Sequence, residues 1–156
     1  MHTIQVRGNI NSNKLCQYAC IISATLCLSL WFKTITNLMS LVSEFNEYRQ
    51  RMNEKILDAD NKVLKRIFNL DTNTFAGGAL SSKTKEAIGL ACSMVLRCDD
   101  CVRYHIGKCH DEGFTKEEMY EIFSIATLIG GTIVIPHLRR AAEYWEALQE
   151  NAKVSV

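Results

Sequence analysis

The chain has 156 residues, of which 47% are hydrophobic and 22% charged, the balance of a globular domain long enough to bury one sizeable core. A single Pro and 8 Gly exclude collagen-like and Pro-rich architectures. With 18 Lys and Arg against 17 Asp and Glu, the net charge of +1 lacks the basic excess of a nucleic-acid binder, and no nucleic-acid partner is expected.

The first 38 residues differ from the rest. They hold Arg7, Lys14 and Lys33 with no acid, leaving 15 basic and 17 acidic residues for 39–156, and they contain Cys16, Cys20 and Cys27. From Cys16 to Phe32 the run CQYACIISATLCLSLWF is uncharged and mostly apolar. It is short of the roughly 20 apolar residues needed to span a bilayer, and no small-x-small cleavage site follows it. Three expectations stand for residues 1–38: a non-native extension ahead of an internal start at Met39, a membrane-associating leader, or an extra packed helix. The expected location of the protein is cytoplasmic, with the apolar leader as the feature that speaks against it.

From Met39 to Phe68 apolar residues recur at Leu41, Phe45, Tyr48, Met52, Ile56, Val63 and Ile67, mostly in steps of three and four, which predicts one amphipathic helix. The turn formers and Gly pair of 69–78 should break it. Ser81 or Ser82 can cap a second helix, whose apolar residues include Ile88, Ala91, Met94 and Val95. A third helix should start near Cys98, with Asp99 and Asp100 suiting its first turn, and end at Gly113. Thr115-Lys-Glu-Glu118 is a capping-box pattern opening a fourth, which runs to Gly130-Gly131. A last helix after Pro136 should bury Leu138, Ala141, Tyr144, Trp145 and Leu148. No alternating strand pattern competes with these, and the predicted class is all-α.

Chemistry concentrates in Cys98-Asp-Asp-Cys101-Val-Arg-Tyr-His105. Two thiols at this spacing can close a disulfide without large movement. A helix start favours the thiolate, and His105 lies one turn past Cys101 on the same face. A metal reading uses Cys98, Cys101, His105 and Cys109. On a continuous helix, though, Cys98 and Cys109 would lie about 16 Å apart, too far for one zinc. No cofactor and no metal is therefore expected. Inert buried cysteines are the remaining alternative. Cys92 and Cys109 read as packing residues, and His110 and His137 as surface residues.

Glu86, eleven residues, Cys98-x-x-Cys101-x-x-x-His105, then Gly113-Phe-Thr-Lys-Glu-Glu118 and Gly130-Gly131, together resemble the AhpD-like alkylhydroperoxidase branch of the carboxymuconolactone decarboxylase family over about residues 45–150. The resemblance implies an AhpD-like helical bundle over residues 39–156 that assembles into homo-trimers or homo-hexamers. It also implies reduction of a hydroperoxide substrate at the expense of a thiol or dithiol reductant. Carried over by position, Cys101 is the peroxidatic thiol, Cys98 the resolving one, and Glu86 with His105 the proton relay. Glu86 lies 12 residues before Cys98, so a relay requires the chain to break near Leu96-Arg97. Asp99 and Asp100 depart from the branch's usual residues between the cysteines, and two carboxylates there should oppose thiolate formation. A cofactor-free lactone decarboxylase, needing His and carboxylate but no thiols, and a redox-regulated non-enzymatic module are the competing functions.

Overall fold

The computed structural model describes Lys33 and residues 41–154, with side chains through Lys153. Contacts divide the chain into Met1–Asn37 and Leu38–Val156, and every element below belongs to the second unit. The three readings of residues 1–38 lie outside the described residues.

Among the described residues the regular structure is helical throughout. Helix α1 covers 41–58, and α2 is Lys62–Phe75. They are followed by α3 (Ser82–Val95), α4 (Asp99–Asp111), α5 (Lys116–Gly130), a 3-10 turn over Thr132–Val134, and α6 (Ile135–Val154). The single helix expected from Met39 to Phe68 is two. Asp60 turns the chain with φ of 52°, and the side chain of Asn61 accepts hydrogen bonds from the N–H groups of Val63 and Leu64, which starts a new helix. The apolar period carries across the break, which is why it reads as continuous. Segment 69–75, expected to be a break, completes α2. The ammonium of Lys85, from α3, donates to the carbonyls of Thr74 and Ala76 at its C-terminal end.

The later boundaries fall close to expectation. Ser81 caps α3, and Thr115 with Glu118 forms the full capping box of α5. Arg97 takes φ of 61° just past α3, where glycine is usual, while Cys98 N–H bonds Ser93 O and Arg97 N–H bonds Met94 O. This paired closure ends α3 and reverses the chain into α4. Helix α3 packs on α4 and α5, and α4 also packs on α6. On α4 the buried residues Val102, His105, Ile106 and Cys109 fall at steps of three and four, one face of the helix. They meet Leu90 and Met94 of α3, Met119 and Phe123 of α5, and Tyr144 and Trp145 of α6 in one core. Ile88 of α3 points out of it. Phe45 brings α1 onto this bundle, edge-to-face with Tyr144 at 5.7 Å between ring centroids.

Candidate active site

The break at Arg97 folds α4 back along α3 and closes the sequence gap between Glu86 and the cysteines. Glu86 Oε2 lies 2.7 Å from His105 Nδ1, with side-chain exposures of only 5% and 10%. A buried carboxylate is costly unless paired and hydrogen-bonded, so the contact fixes His105 with Nδ1–H donating to Glu86 and leaves Nε2 as the second ring nitrogen. Gly89, one turn past Glu86 on α3, lies against the same ring. A Cβ there would stand 2.6 Å from His105 Cε1 and 2.9 Å from both ring nitrogens. Phe75, at the end of α2, covers the ring with centroids 5.0 Å apart, and Tyr104 meets its edge at 5.1 Å.

Cys98 and Cys101 are joined as a disulfide, with Cα atoms 5.3 Å apart. Cys98 is the N-cap of α4, and its sulfur accepts from the Cys101 N–H at 3.3 Å. Both sulfurs thus lie at the helix's positive end, which favours thiolate once the bond is reduced. Cys101 is exposed and Cys98 partly so. A cavity of about 450 Å³ opens over Cys101 and His105, walled by Phe45, Tyr48, Met52 and Ile56 of α1. The four expected site residues therefore lie on α3 and on α4 with its N-cap: Glu86 and His105 in direct contact, Cys101 and His105 on one cavity wall, and Cys98 bonded to Cys101.

Several expectations need correction. His137 is not a surface residue. Its Nδ1 lies 2.7 Å from Asp99 Oδ1 with its side chain 16% exposed, and Arg140 donates to Asp99 Oδ2 at 2.9 Å. Burial alone would raise the Asp99 carboxyl, but the hydrogen bonds from His137 and Arg140, with the charge of Arg140, hold it below the usual aspartate value. Asp99 is thus engaged by α6 rather than bearing unopposed on the thiols. Asp100 is exposed and faces Arg103 at 3.6 Å. Sequence pattern had no signal for the His137 contact, since its partner is 38 residues away. Cys92 is exposed rather than core. Cys109 is buried, and burial, with the charges of Glu86 and Glu112, pushes its thiol up to about 12. Because α4 is continuous from Asp99 to Asp111, Cys98 and Cys109 stand at opposite ends of it and do not share a centre with His105.

Comparison with known proteins identifies the family and the fold. The sequence model of the carboxymuconolactone decarboxylase family matches residues 61–144. The crystal structure of TM1620 from Thermotoga maritima is 50% identical and covers 70% of this chain and 96% of its own, with a TM-score of 0.69. A second crystal structure of that protein describes it as a family member proposed to act in an antioxidative response. A Legionella pneumophila family protein, 23% identical, shares the fold with a TM-score of 0.64 over 69% of this chain and 96% of its own. Two uncharacterized proteins, from Cupriavidus necator and from the cox locus of Paracoccus denitrificans, are each 31% identical, over 46% and 43% of this chain. The chain spans 63% and 60% of their lengths.

Proposed function

The chain belongs to the carboxymuconolactone decarboxylase family, and on that premise we propose that it is a thiol-dependent peroxidase of the alkylhydroperoxidase type. The observation that carries the reading is the buried Glu86–His105 contact beside an exposed member of a Cys98–Cys101 disulfide, at the wall of one cavity. A decarboxylase has no use for the thiol pair.

In the reduced protein His105, held by Glu86, takes the proton of the Cys101 thiol. The thiolate attacks the terminal oxygen of the hydroperoxide. An S–O bond forms, the O–O bond breaks, and the leaving alkoxide takes the proton back from His105 to depart as an alcohol. Cys101 is then a sulfenic acid. The Cys98 thiol attacks its sulfur, the disulfide forms, and water leaves. The sum is two thiols and one hydroperoxide giving one disulfide, one alcohol and one water. A thiol or dithiol reductant restores the pair by exchange.

The test is peroxide consumption driven by dithiothreitol. Wild type should turn over and Cys101→Ala should not; Cys98→Ala, reduced and then freed of dithiothreitol, should consume one peroxide per chain and stop as the Cys101 sulfenic acid, where wild type treated alike ends as the disulfide. Activity of a Cys98→Ala/Cys101→Ala double variant toward a lactone acid would favour decarboxylation instead.

The working unit in this reading is a homo-trimer or homo-hexamer. Helix α2 has no buried residue, yet it presents Val63, Ile67 and Leu70 on its surface, an apolar stripe of the kind self-association covers. Light scattering giving a monomer at all concentrations would refute this part.

A further inference from the structure

The cavity over Cys101 does not end at the thiol. A second cavity of about 210 Å³ adjoins it, and the two share Phe45, Arg49 and Tyr104 as common walls. The second is lined by three cations, Arg49, Arg103 and Lys108, and by one acid, Asp111. Arg49 lies over the Tyr104 ring at 4.0 Å and has no carboxylate partner among the described residues. Arg103 and Lys108 face Asp100 and Asp111 only at 3.6 and 3.7 Å, looser than the 2.7 and 2.9 Å contacts elsewhere in the site. At the thiol end the wall carries two acids, Asp71 and Asp100, beside the shared Arg49, and Asp100 is the carboxylate that Arg103 faces. The groove is therefore apolar along α1, acidic beside Cys101 and cationic at its far end.

We propose that the cationic end is a carboxylate-binding site and that the substrate is an organic hydroperoxide carrying a carboxylate, of the long-chain fatty-acid type. Asp71 and Asp100 disfavour the carboxylate beside the thiol, Arg49, Arg103 and Lys108 draw it to the far end, and Phe45 and Tyr104, which wall both cavities, take the hydrocarbon where the two meet. Cys101, Tyr104 and Lys108 fall at steps of three and four on α4, so peroxide and carboxylate would lie about 10 Å apart along the helix. The two cavities together have the size of a site for such a molecule. The identity of the reacting group rests on the peroxidase reading above, whereas the carboxylate site stands on the cavity alone.

Two measurements on the full chain separate these. In the first, decanoate and 1-decanol are titrated into the oxidised protein by calorimetry. Decanoate should bind the more tightly, and Arg103→Gln/Lys108→Gln should weaken it about ten- to a hundredfold while leaving 1-decanol unchanged. Arg49→Gln, on a different helix, should act in the same direction, so that misfolding of one variant does not decide the result. In the second, linoleic acid hydroperoxide is compared with its methyl ester. The double variant should raise KM for the acid by the same factor, with kcat unchanged and the ester unaffected. Equal binding of decanoate and 1-decanol, or equal loss of both in the variants, overturns the carboxylate site. Decanoate binding without turnover of either hydroperoxide upholds the site and overturns the peroxidase reading instead.

Discussion

Two histidine–carboxylate contacts of the same 2.7 Å length belong to the CxxC segment, Glu86–His105 on the inner face of α4 and Asp99–His137 on the seam between α4 and α6. Their surroundings differ. Glu86 and His105 are nearly enclosed, with Phe75, Tyr104 and the bare backbone of Gly89 around the ring. Asp99 is one-third exposed and has, besides His137, the cationic Arg140 as a second partner. The same contact can thus serve two ends. Enclosed beside a cavity and without a competing partner, a histidine is held ready to exchange protons. At a helix seam, where an arginine supplies the opposing charge, it shares a carboxylate and fastens two helices.

The largest expected effect tests that division. Glu86→Gln and His105→Gln should each lower peroxidase kcat by about 10²–10⁴, the range for a positioned general acid or base. His137→Gln should lower it by less than about tenfold. Comparable losses from all three would mean that the outer contact also takes part in proton transfer.

A smaller effect should come from Gly89. Alanine there has no space without moving the His105 ring, since the added carbon meets three ring atoms at 2.6 to 2.9 Å. Gly89→Ala should lower kcat by about ten- to a hundredfold and shift its pH profile, with thermal stability reduced by about 1–3 kcal/mol for the local overpacking. A fall in stability with kcat and pH profile intact would make Gly89 a packing residue only.

How much of this was legible in the sequence depends on the range of each contact. Caps and helix ends at Ser81, Cys98, Thr115 and Gly113 are set by residues within four positions, and the sequence states them directly. The Glu86–His105 contact spans 19 residues but follows once a reversal at Arg97 is supposed, because two antiparallel helices of similar length bring those positions level. The split between α1 and α2 was hidden because a two-residue turn at Ala59-Asp60 leaves the apolar period nearly in phase. The exposure of Cys92 beside buried Ser93 and Met94 was missed because neighbours in a helix point about 100° apart, and local apolar content does not say which of them faces the core. The Asp99–His137–Arg140 cluster joins α4 to a helix beginning 36 residues later, and no local rule reaches that far.

A third expected effect concerns that cluster. Asp99→Asn keeps the shape and removes the charge met by His137 and Arg140. A charge-assisted hydrogen bond contributes about 1.5–3 kcal/mol when buried, and partial exposure reduces it, so the loss should be about 1 kcal/mol in chemical denaturation, with kcat changed less than tenfold. A loss of 4 kcal/mol or more would show that the seam depends on this contact as a buried ion pair does.

The smallest effect is the pH dependence of the same contact. His137 and Arg140 hold the Asp99 carboxyl below the ordinary aspartate value of about 3.9, so the folded protein binds that proton less readily than the unfolded chain. Stability from this source is therefore fully present above the unfolded value and is lost as the pH falls through the folded one. Glu118 behaves alike, since the Thr115 N–H and the Lys83 ammonium hold its carboxyl down, which adds a second group to the acid limb. Urea midpoints measured between pH 6 and pH 2 should fall for wild type, fall less steeply for Asp99→Asn, and less steeply again for Asp99→Asn/Glu118→Gln. His137→Gln, which leaves Asp99 with Arg140 alone, should lie between wild type and Asp99→Asn. If Asp99→Asn follows the wild-type acid limb in parallel, the carboxylate contributes through its shape rather than its charge, and the outer contact loses the role that sets it apart from Glu86–His105.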